Sequence, residues 1–516
     1  MAYSSPSLTV RSYSLDLCKV RRISVFVFLV SFFWFVARHR FIDGDEGFYL
    51  LASRLVLQHK APYLDFLYTQ APLLPYGYGL WMKLFGISWF SARGFSAGLT
   101  TILGLLIYEH ICRETQKWIV GVAAVILFAS STLIFAWFPV VKTYSLTTLF
   151  LFGAYVIVAR LSPGSSSPWL IAVAGLLFGL SVDTRSYVAG LTPIFLWLIV
   201  RHAATREGTA RALWFLGGFA VGIAPCLYLF VASPDLFLFN NLGFHAIRSD
   251  AGLIGAWREK LKIARGVLLG AEDNGIQFTI LSAVSFVAIL ASRMRRSAAL
   301  LAFLIALVLG FISILPTPPF VQYFCMCMPF LIVAAVCGVS DYVTSLRAMR
   351  PKRIAVLASV AVLAAFVASS VPSFQRYLVI GDSARGVREN WTLDPVSAIS
   401  KAIDQLAAPN EEIASFWPGY IFASKADPYP GLENDFAWTI TKKLAVDQRA
   451  KYHIIGDTDM QADFAAHTPR IVVLGNEGNV MSPGWVSAYD RILRTNDYTP
   501  VRTIGDTSIY VCCSRQ

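Results

Sequence analysis

Three carboxylates crowd into four positions near the start of the chain, where Asp43, Asp45 and Glu46 follow the first apolar segment. A helix N-cap uses one acid, and here there are three. A carboxylate that stays ionised at a helix N-terminus can accept a proton from a hydroxyl group or bind a metal. We therefore expect a catalytic group here, with Asp45 or Asp43 as the general base.

The residues after this cluster repeat with the period of a helix. Apolar side chains recur at the i, i+3, i+4, i+7, i+8 spacing of one face, at Phe48, Leu51, Ala52, Leu55 and Val56. This pattern predicts a short helix on the membrane surface that carries the carboxylates at its N-terminus. A second interfacial piece is indicated by prolines and aromatic residues, namely Pro72, Pro75, Tyr76, Tyr78 and Trp81.

Composition places the chain among polytopic α-helical membrane proteins. Of its 516 residues 56% are hydrophobic and only 15% are charged, and the mean hydropathy is +0.57. About eleven transmembrane helices are predicted, at about 23–37, 91–111, 118–138, 141–159, 168–183, 187–200, 212–231, 276–291, 298–315, 320–339 and 354–371. The net charge of +12 does not indicate nucleic acid, because the basic residues cluster in short loops between spans.

Charge and composition also predict the orientation and the domains. Arginine and lysine concentrate in alternate short loops, which are therefore cytoplasmic. Residues 1–22 form a cytoplasmic tail, 23–371 the membrane domain, and 41–90 its first outer loop. Loop 232–275 lies on the outer side as well. In 372–516, short apolar runs (EEIASFW, RIVVLG, TSIYVCC) alternate with helical patterns near 395–407 and 484–494, which predicts a small extracytoplasmic α/β domain.

Two cations stand almost alone in the short outer loops, where positive charge is disfavoured. Arg185 lies in SVDTRSYV and Lys142 in FPVVKTYS. An outer arginine suits a phosphate group. The plainer alternative for Arg185 is an ordinary loop residue that pairs with Asp183.

Further polar candidates lie on the same predicted side. His245 and Arg248 stand in the long outer loop, and Tyr323 lies just inside the outer end of a late span. Each has a plainer alternative, such as an exposed histidine or an aromatic-belt tyrosine. The span centres hold almost no ionisable groups, whereas an ion-coupled transporter buries some at the midplane. The chemistry is therefore expected at the outer face.

Taken together, these features resemble the GT-C glycosyltransferases. The resemblance rests on the acid pair after the first span, the stretch Y-x-D-F-x-Y-x-Q-x-P-L-L-P-Y at residues 63–76, and the many spans that follow. It covers about residues 20–370. The most similar branch is the bacterial one related to the aminoarabinose transferase of lipid A and the protein O-mannosyltransferases, including galacturonosyltransferase-like proteins of the lipopolysaccharide core.

The resemblance implies a sugar transferase of the bacterial inner membrane. Such enzymes move a sugar from a polyprenyl-phosphate donor, with inversion, to a hydroxyl of a lipid, a lipopolysaccharide, a cell-envelope glycan or a protein. Asp45 would be the base. Arg185 matches a phosphate-binding lysine, His245 and Arg248 match an H-x-x-R pair, and Tyr323 matches a tyrosine of a late span.

The chain departs from the aminoarabinose enzymes at two places. Thr69 and Gln70 stand where those enzymes carry an E-K pair, and Phe48 stands where they carry an arginine. Asp65 is a candidate replacement for the missing glutamate, and Gln70 remains a candidate for acceptor contact. No metal or cofactor is required by the charge count, because arginine and lysine can neutralise a phosphate leaving group.

Three other functions remain open at this stage. A polymerase or ligase would use a lipid-pyrophosphate glycan. A transporter or flippase would move the lipid-linked sugar without transferring it. A structural scaffold is the plainest alternative, and the cluster of acids is its main difficulty.

Overall fold

The computed structural model describes residues 7–161, 167–201, 203, 205–249, 252–270, 275–292, 298–380, 391–475 and 484–513. Within these residues the amino-terminal part of the chain is helical. Its first helices are α1 (Ser7–His39), α2 (Gly44–Leu57), α3 (Leu73–Phe85), α4 (Trp89–Thr115), α5 (Trp118–Ser130), α6 (Thr132–Phe135), α7 (Thr143–Val158), α8 (Pro168–Thr184), α9 (Thr192–Val200), α10 (Thr205–Gly222) and α11 (Ala224–Ala232).

The helices that follow complete the bundle. They are α12 (Pro234–Leu238), α13 (Phe244–Ile247), α14 (Gly252–Leu269), α15 (Ile276–Ser292), α16 (Ala298–Ile314), α17 (Met328–Ser345), α18 (Met349–Ser369) and α19 (Val371–Tyr377). Two 3-10 segments, Ser186–Leu191 and Val321–Cys327, precede α9 and α17. The segment 232–275, predicted as a loop, is therefore largely helical in its described residues.

All eleven predicted spans coincide with these apolar helices, which confirms a polytopic helical membrane protein. Among the described residues, four helical stretches alone are long and apolar enough to cross a membrane: Leu17–His39, Trp89–Thr115, Val321–Ser345 and Met349–Tyr377. The pair α10 and α11 would add a fifth span, bent by 59°. The remaining apolar helices are shorter than these spans. The length of an apolar run in the sequence therefore overestimates the length of several helices.

The carboxy-terminal residues form a small sheet flanked by helices, as predicted. Its elements are α20 (Leu393–Leu406), β1 (Glu412–Ser415), α21 (Gly419–Phe422), β2 (Asp427–Pro428), α22 (Val446–Lys451), α23 (Asp457–Ala465), β3 (Ile471–Leu474), α24 (Trp485–Thr495), β4 (Thr499–Ile504) and β5 (Thr507–Val511). The strand order is β2-β1-β3-β5-β4. β1 is parallel to β2 and β3, whereas β5 is antiparallel to β3 and β4.

Helix α2 differs from its prediction as an amphipathic surface helix. Every residue from Glu46 to Leu55 is buried, because the carboxy-terminal domain covers the face that the sequence leaves polar. Arg54 on that face is buried as well, and its guanidinium donates to the backbone oxygens of Ser424 and Ala426 at 2.8 and 2.6 Å. Helix α2 is thus held between the membrane bundle and the carboxy-terminal domain.

Candidate active site

The start of α2 is fixed by two of the three acids. Asp43 is the N-cap, and its carboxylate accepts a hydrogen bond from the backbone nitrogen of Asp45 at 3.1 Å. Glu46 completes a capping box by accepting from the backbone nitrogen of Asp43 at 2.9 Å. The plainer interpretation of the acid cluster, helix capping, therefore applies to Asp43 and Glu46 but not to Asp45.

Glu46 is an anchor rather than a catalytic contact, which corrects its predicted role. Its side chain is fully buried and forms a two-pronged ion pair with Arg93, at 2.6 and 2.9 Å. The backbone nitrogen of Val141 donates to it as well, at 3.0 Å. Glu46 ties α2 to α4 and to the segment before α7. Its carboxylate does not face the cavity described below.

Lys142 joins the other two acids. Its ammonium nitrogen lies 2.7 Å from Asp43 Oδ1 and 2.9 Å from Asp45 Oδ2. The lysine is buried, whereas the Asp45 side chain keeps 32% of its surface exposed. The ammonium of Lys142 thus already contacts two carboxylates, and its role as a phosphate ligand stays a prediction.

The two carboxylates that share Lys142 differ in proton affinity. Burial raises the pKa of Asp45, and the neighbouring charge of Asp43 raises it further against the opposing effect of Lys142. Burial acts in the same direction on Asp43, but Lys142 and Arg40 outweigh it and lower the pKa of Asp43. Asp45 is thus the more basic and the more exposed of the two carboxylates.

Arg185 begins the opposite side of the site. Its guanidinium is buried, donates to Thr143 Oγ1 at 2.6 Å, and lies over three tyrosine rings. The distances from its central carbon to the ring centroids are 4.8 Å for Tyr144, 4.7 Å for Tyr187 and 4.7 Å for Tyr323. Within the described part of the chain, no carboxylate oxygen approaches Arg185 to 4.0 Å. A buried cation whose neighbours are ring faces and one neutral hydroxyl attracts an anion.

Asp183 does not pair with Arg185, contrary to the plainer alternative. It accepts a hydrogen bond from the backbone nitrogen of Cys226 at 3.1 Å. Arg248 adds a second guanidinium, which lies over the rings of Phe320 and Phe436 at 5.7 and 5.5 Å. The ring faces around Arg185 and Arg248 do not accept conventional hydrogen bonds from the N–H groups of these guanidiniums.

His245 contacts the loop that carries Thr69. Its Nε2 lies 3.0 Å from the carbonyl oxygen of Thr69, and burial lowers the pKa of His245. Nε2 of His245 is therefore directed at the backbone of the loop that carries Thr69, and its predicted contact with phosphate stays a prediction. Asp65, at the turn before it, is exposed and accepts from the backbone nitrogen of Ala61 at 2.6 Å. Asp65 is not part of the cavity lining described below, and its role as a replacement for the missing glutamate stays a prediction.

One cavity of about 360 Å³ joins the acids and the arginines. It is lined by Asp43, Gly44, Asp45, Phe48, Tyr49, Thr69, Gln70, Lys142, Tyr144, Arg185, Arg248, Phe320, Gln322, Tyr323, Trp391, Trp417, Asp435, Phe436 and Thr439. Most of the predicted site residues thus meet in one place. Glu46, Asp65 and His245 lie outside this lining. Among the described residues, no cluster of three His, Cys, Asp or Glu side chains is placed to hold a metal ion.

The carboxy-terminal domain supplies a wall that the sequence did not reveal, formed by Trp391, Trp417, Asp435, Phe436 and Thr439. The indole nitrogen of Trp417 donates to the carbonyl oxygen of Gly44, between the two aspartates, at 2.9 Å. A gap of 373 positions separates this pair in the chain. No periodicity or local motif connects residues so distant, so only the folded chain brings them together.

Comparison with known proteins agrees with this architecture. Residues 69–230 match the family model described as dolichyl-phosphate-mannose-protein mannosyltransferase. The crystal structure of apo ArnT from Cupriavidus metallidurans superimposes with a TM-score of 0.63 at 14% identity, over 95% of this chain and 97% of that chain. ArnT from the same organism bound to undecaprenyl phosphate gives 0.61 at 15% identity, with the same coverage.

A comparison with curated protein sequences finds no significant match. Sequence identity of this size establishes the fold alone. As the sequence predicted, the chain has the GT-C fold of the ArnT-like membrane glycosyltransferases, and its residues 69–230 match the mannosyltransferase family model.

Proposed function

We propose that this protein is a membrane glycosyltransferase that moves a sugar from a polyprenyl-phosphate carrier to an acceptor hydroxyl, with inversion at the anomeric carbon. The observation that carries the proposal is one cavity with a basic carboxylate on one side and, on the other, two guanidiniums that form no ion pair with any described carboxylate. The ArnT structure that binds undecaprenyl phosphate supports the choice of carrier.

Asp45 acts as the general base in this proposal. Its partly exposed carboxylate takes the proton of the acceptor hydroxyl as the oxygen bonds to the anomeric carbon. The bond between that carbon and the phosphate oxygen breaks at the same time. Lys142 holds Asp45 in place and favours its ionised form, and its contact with Asp43 keeps the ammonium on the acid side.

Arg185 and Arg248 receive the leaving phosphate. Guanidiniums suit phosphate oxygens because they present paired donors in a plane. Their aromatic surroundings exclude water, which strengthens the electrostatic stabilisation of the developing negative charge. Tyr323, beside Arg185, offers a hydroxyl to the same anion.

The placement in the cell follows from the same proposal. The cavity and the carboxy-terminal domain, residues 372–516, lie on the outer side of the bacterial inner membrane, and residues 1–22 lie in the cytoplasm. The basic short loops support this orientation. The acceptor is a lipid, a lipopolysaccharide, a cell-envelope glycan or a protein with a free hydroxyl.

The test is mass spectrometry of envelope lipids and glycans from cells with the gene, without it, and with Asp45→Asn. We expect one sugar-bearing species to vanish on deletion and to form about 10²–10⁴-fold more slowly with Asp45→Asn. Asp497→Asn is the matched control, because Asp497 is exposed and remote from the cavity. Identical profiles with and without the gene would contradict the function, and normal product with Asp45→Asn would contradict the base.

A further inference from the structure

Helix α14 is unlike the other long helices of the membrane domain. Its 18 residues, Gly252–Leu269, carry five charged side chains: Arg258, Glu259, Lys260, Lys262 and Arg265. So many charges exclude a helix that crosses the hydrocarbon of a bilayer. It follows Arg248 of the cavity by only a few residues, so α14 lies close to the candidate site.

An apolar stripe runs along α14 and faces away from the protein. Ile254, Trp257, Leu261 and Leu268 follow one another at intervals of three, four and seven residues, which places them on one side of a helix. Their exposed fractions are 72, 60, 66 and 51%. Side chains of this size are rarely left open to water in a continuous row.

A basic stripe runs beside the apolar one. Arg258, Lys262 and Arg265 are spaced i, i+4, i+7 and all three are exposed. Glu259, the acid of this helix, is only half-exposed and lies off that row. The outward surface of α14 therefore presents large apolar side chains flanked by positive charge and no negative charge.

The opposite face of α14 attaches the helix to the bundle. Val267 is 1% exposed and belongs to the main core, and the ammonium of Lys260 donates to the carbonyl oxygen of Leu315 at 2.7 Å. The helix packs against α15, α16 and the segment Val321–Cys327, which carries Tyr323 of the cavity. The two outward stripes are thus held in a fixed orientation.

We propose that α14 is an interfacial helix that binds anionic phospholipid headgroups beside the cavity. Apolar side chains with a tryptophan enter the boundary of the acyl chains, while the basic row contacts lipid phosphates in the same plane. Charge complementarity selects anionic over zwitterionic lipid. This surface goes beyond the proposed function, because it would bind phospholipid whether or not the chain transfers sugar.

The experiment compares the full chain with the triple variant Arg258→Gln, Lys262→Gln and Arg265→Gln. Both are purified from membranes that contain phosphatidylglycerol, and native mass spectrometry counts the lipids that stay bound. We expect the triple variant to retain about tenfold less phosphatidylglycerol, because each basic side chain contributes near an anionic surface. Lys401→Gln, Lys425→Gln and Arg491→Gln, exposed in the carboxy-terminal domain, form the matched control.

A second measurement places the helix without altering its charges. Brominated phosphatidylglycerol in nanodiscs should quench the wild-type chain more than the Trp257→Phe variant, since Trp257 would lie at the headgroup boundary. Equal phosphatidylglycerol retention by the triple variant and the wild-type chain would overturn the proposal. Equal quenching of the wild-type chain and Trp257→Phe would also overturn it. So would a triple variant that loses only added undecaprenyl phosphate and retains phosphatidylglycerol.

Discussion

The acid side and the arginine side of the cavity solve the problem of buried charge in opposite ways. On the acid side, Asp43 and Asp45 share the ammonium of Lys142 at 2.7 and 2.9 Å. On the arginine side, Arg185 has three tyrosine rings and a threonine hydroxyl around it and no carboxylate among the described residues. The carboxylates have a positive partner before a substrate arrives, whereas Arg185 acquires its counter-charge from the substrate.

This difference matches the two tasks of group transfer. A base must stay ionised and fixed, which a neighbouring ammonium ensures. A phosphate site must instead stay open, because a carboxylate partner would compete with the phosphate. Mutations should therefore affect the acid side through its structure and protonation, and the arginine side through the affinity for phosphate.

The largest expected effect is a loss of folding stability when the buried ion pair that anchors α2 near the two aspartates is removed. Glu46→Gln leaves the Arg93 guanidinium buried without its charged partner, which costs about 3–5 kcal/mol of folding free energy. The midpoint of thermal unfolding should fall accordingly. Asp235→Asn is the control, since Asp235 pairs with Lys451 on the surface, where 76 and 49% of the two side chains are exposed, and such a pair contributes only about 0.2–1 kcal/mol. Equal midpoints for the two variants would contradict the anchoring role of Glu46.

A smaller effect should come from separating α2 from the carboxy-terminal domain. In Gly47→Ala the new methyl would lie 2.7 Å from the backbone nitrogen of Gly419 and 2.8 Å from the Trp417 ring. Such overpacking costs about 1–3 kcal/mol. Gly98→Ala in α4 meets nothing within 4 Å and should raise stability by about 0.4–1 kcal/mol. If both variants unfolded at the same temperature, the contact would have no structural weight.

The smallest expected effect is a shift in the pH dependence of sugar transfer, which tests the electrostatic difference between the two sides. The raised pKa of Asp45 means that sugar transfer should decline, as pH falls, at a higher pH than for an ordinary aspartate. Asp43→Asn keeps a favourable N-cap but removes a negative neighbour and leaves Lys142 to Asp45 alone. The pKa of Asp45 should then fall, so the acid limb of the pH–rate profile should move to lower pH. Asp497→Asn should leave the limb in place, and an unmoved or higher limb in Asp43→Asn would refute the assignment.

The sequence predicted the membrane domain well because apolar length and basic loops are local signals. It also singled out Asp45 and Arg185, since acids after a span and a lone outer arginine stand out against their surroundings, and both residues line the cavity. It could not separate Glu46 from Asp45, because burial and the Arg93 pair depend on packing between helices distant in sequence. For the same reason it missed the partnership of Lys142 with the acids.

The sequence did not predict the cavity wall from the carboxy-terminal domain or the helix α14, for two different reasons. Trp417 and Asp435 reach the cavity only through contacts across hundreds of positions, for which the chain has no periodic signal. Helix α14 has a periodic pattern, but its charges exclude it from a search for spans, and it remained part of a predicted loop. Helix-length patterns inside long loops of membrane proteins are therefore worth testing for two parallel stripes.

The most direct test of the central claim is to measure the affinity of the purified full chain for undecaprenyl phosphate. The dissociation constant is determined by titration for the wild-type protein, Arg185→Ala and Asp45→Asn. Loss of the Arg185 guanidinium should weaken binding about 10–100-fold, because hydrogen bonds to a charged group contribute about 1.5–3 kcal/mol. Asp45→Asn should bind at least as tightly as the wild-type chain, and Arg491→Ala is the control. Unchanged binding by Arg185→Ala, or a comparable loss in Asp45→Asn, would contradict the division of the cavity into an acid side paired with Lys142 and an open phosphate side.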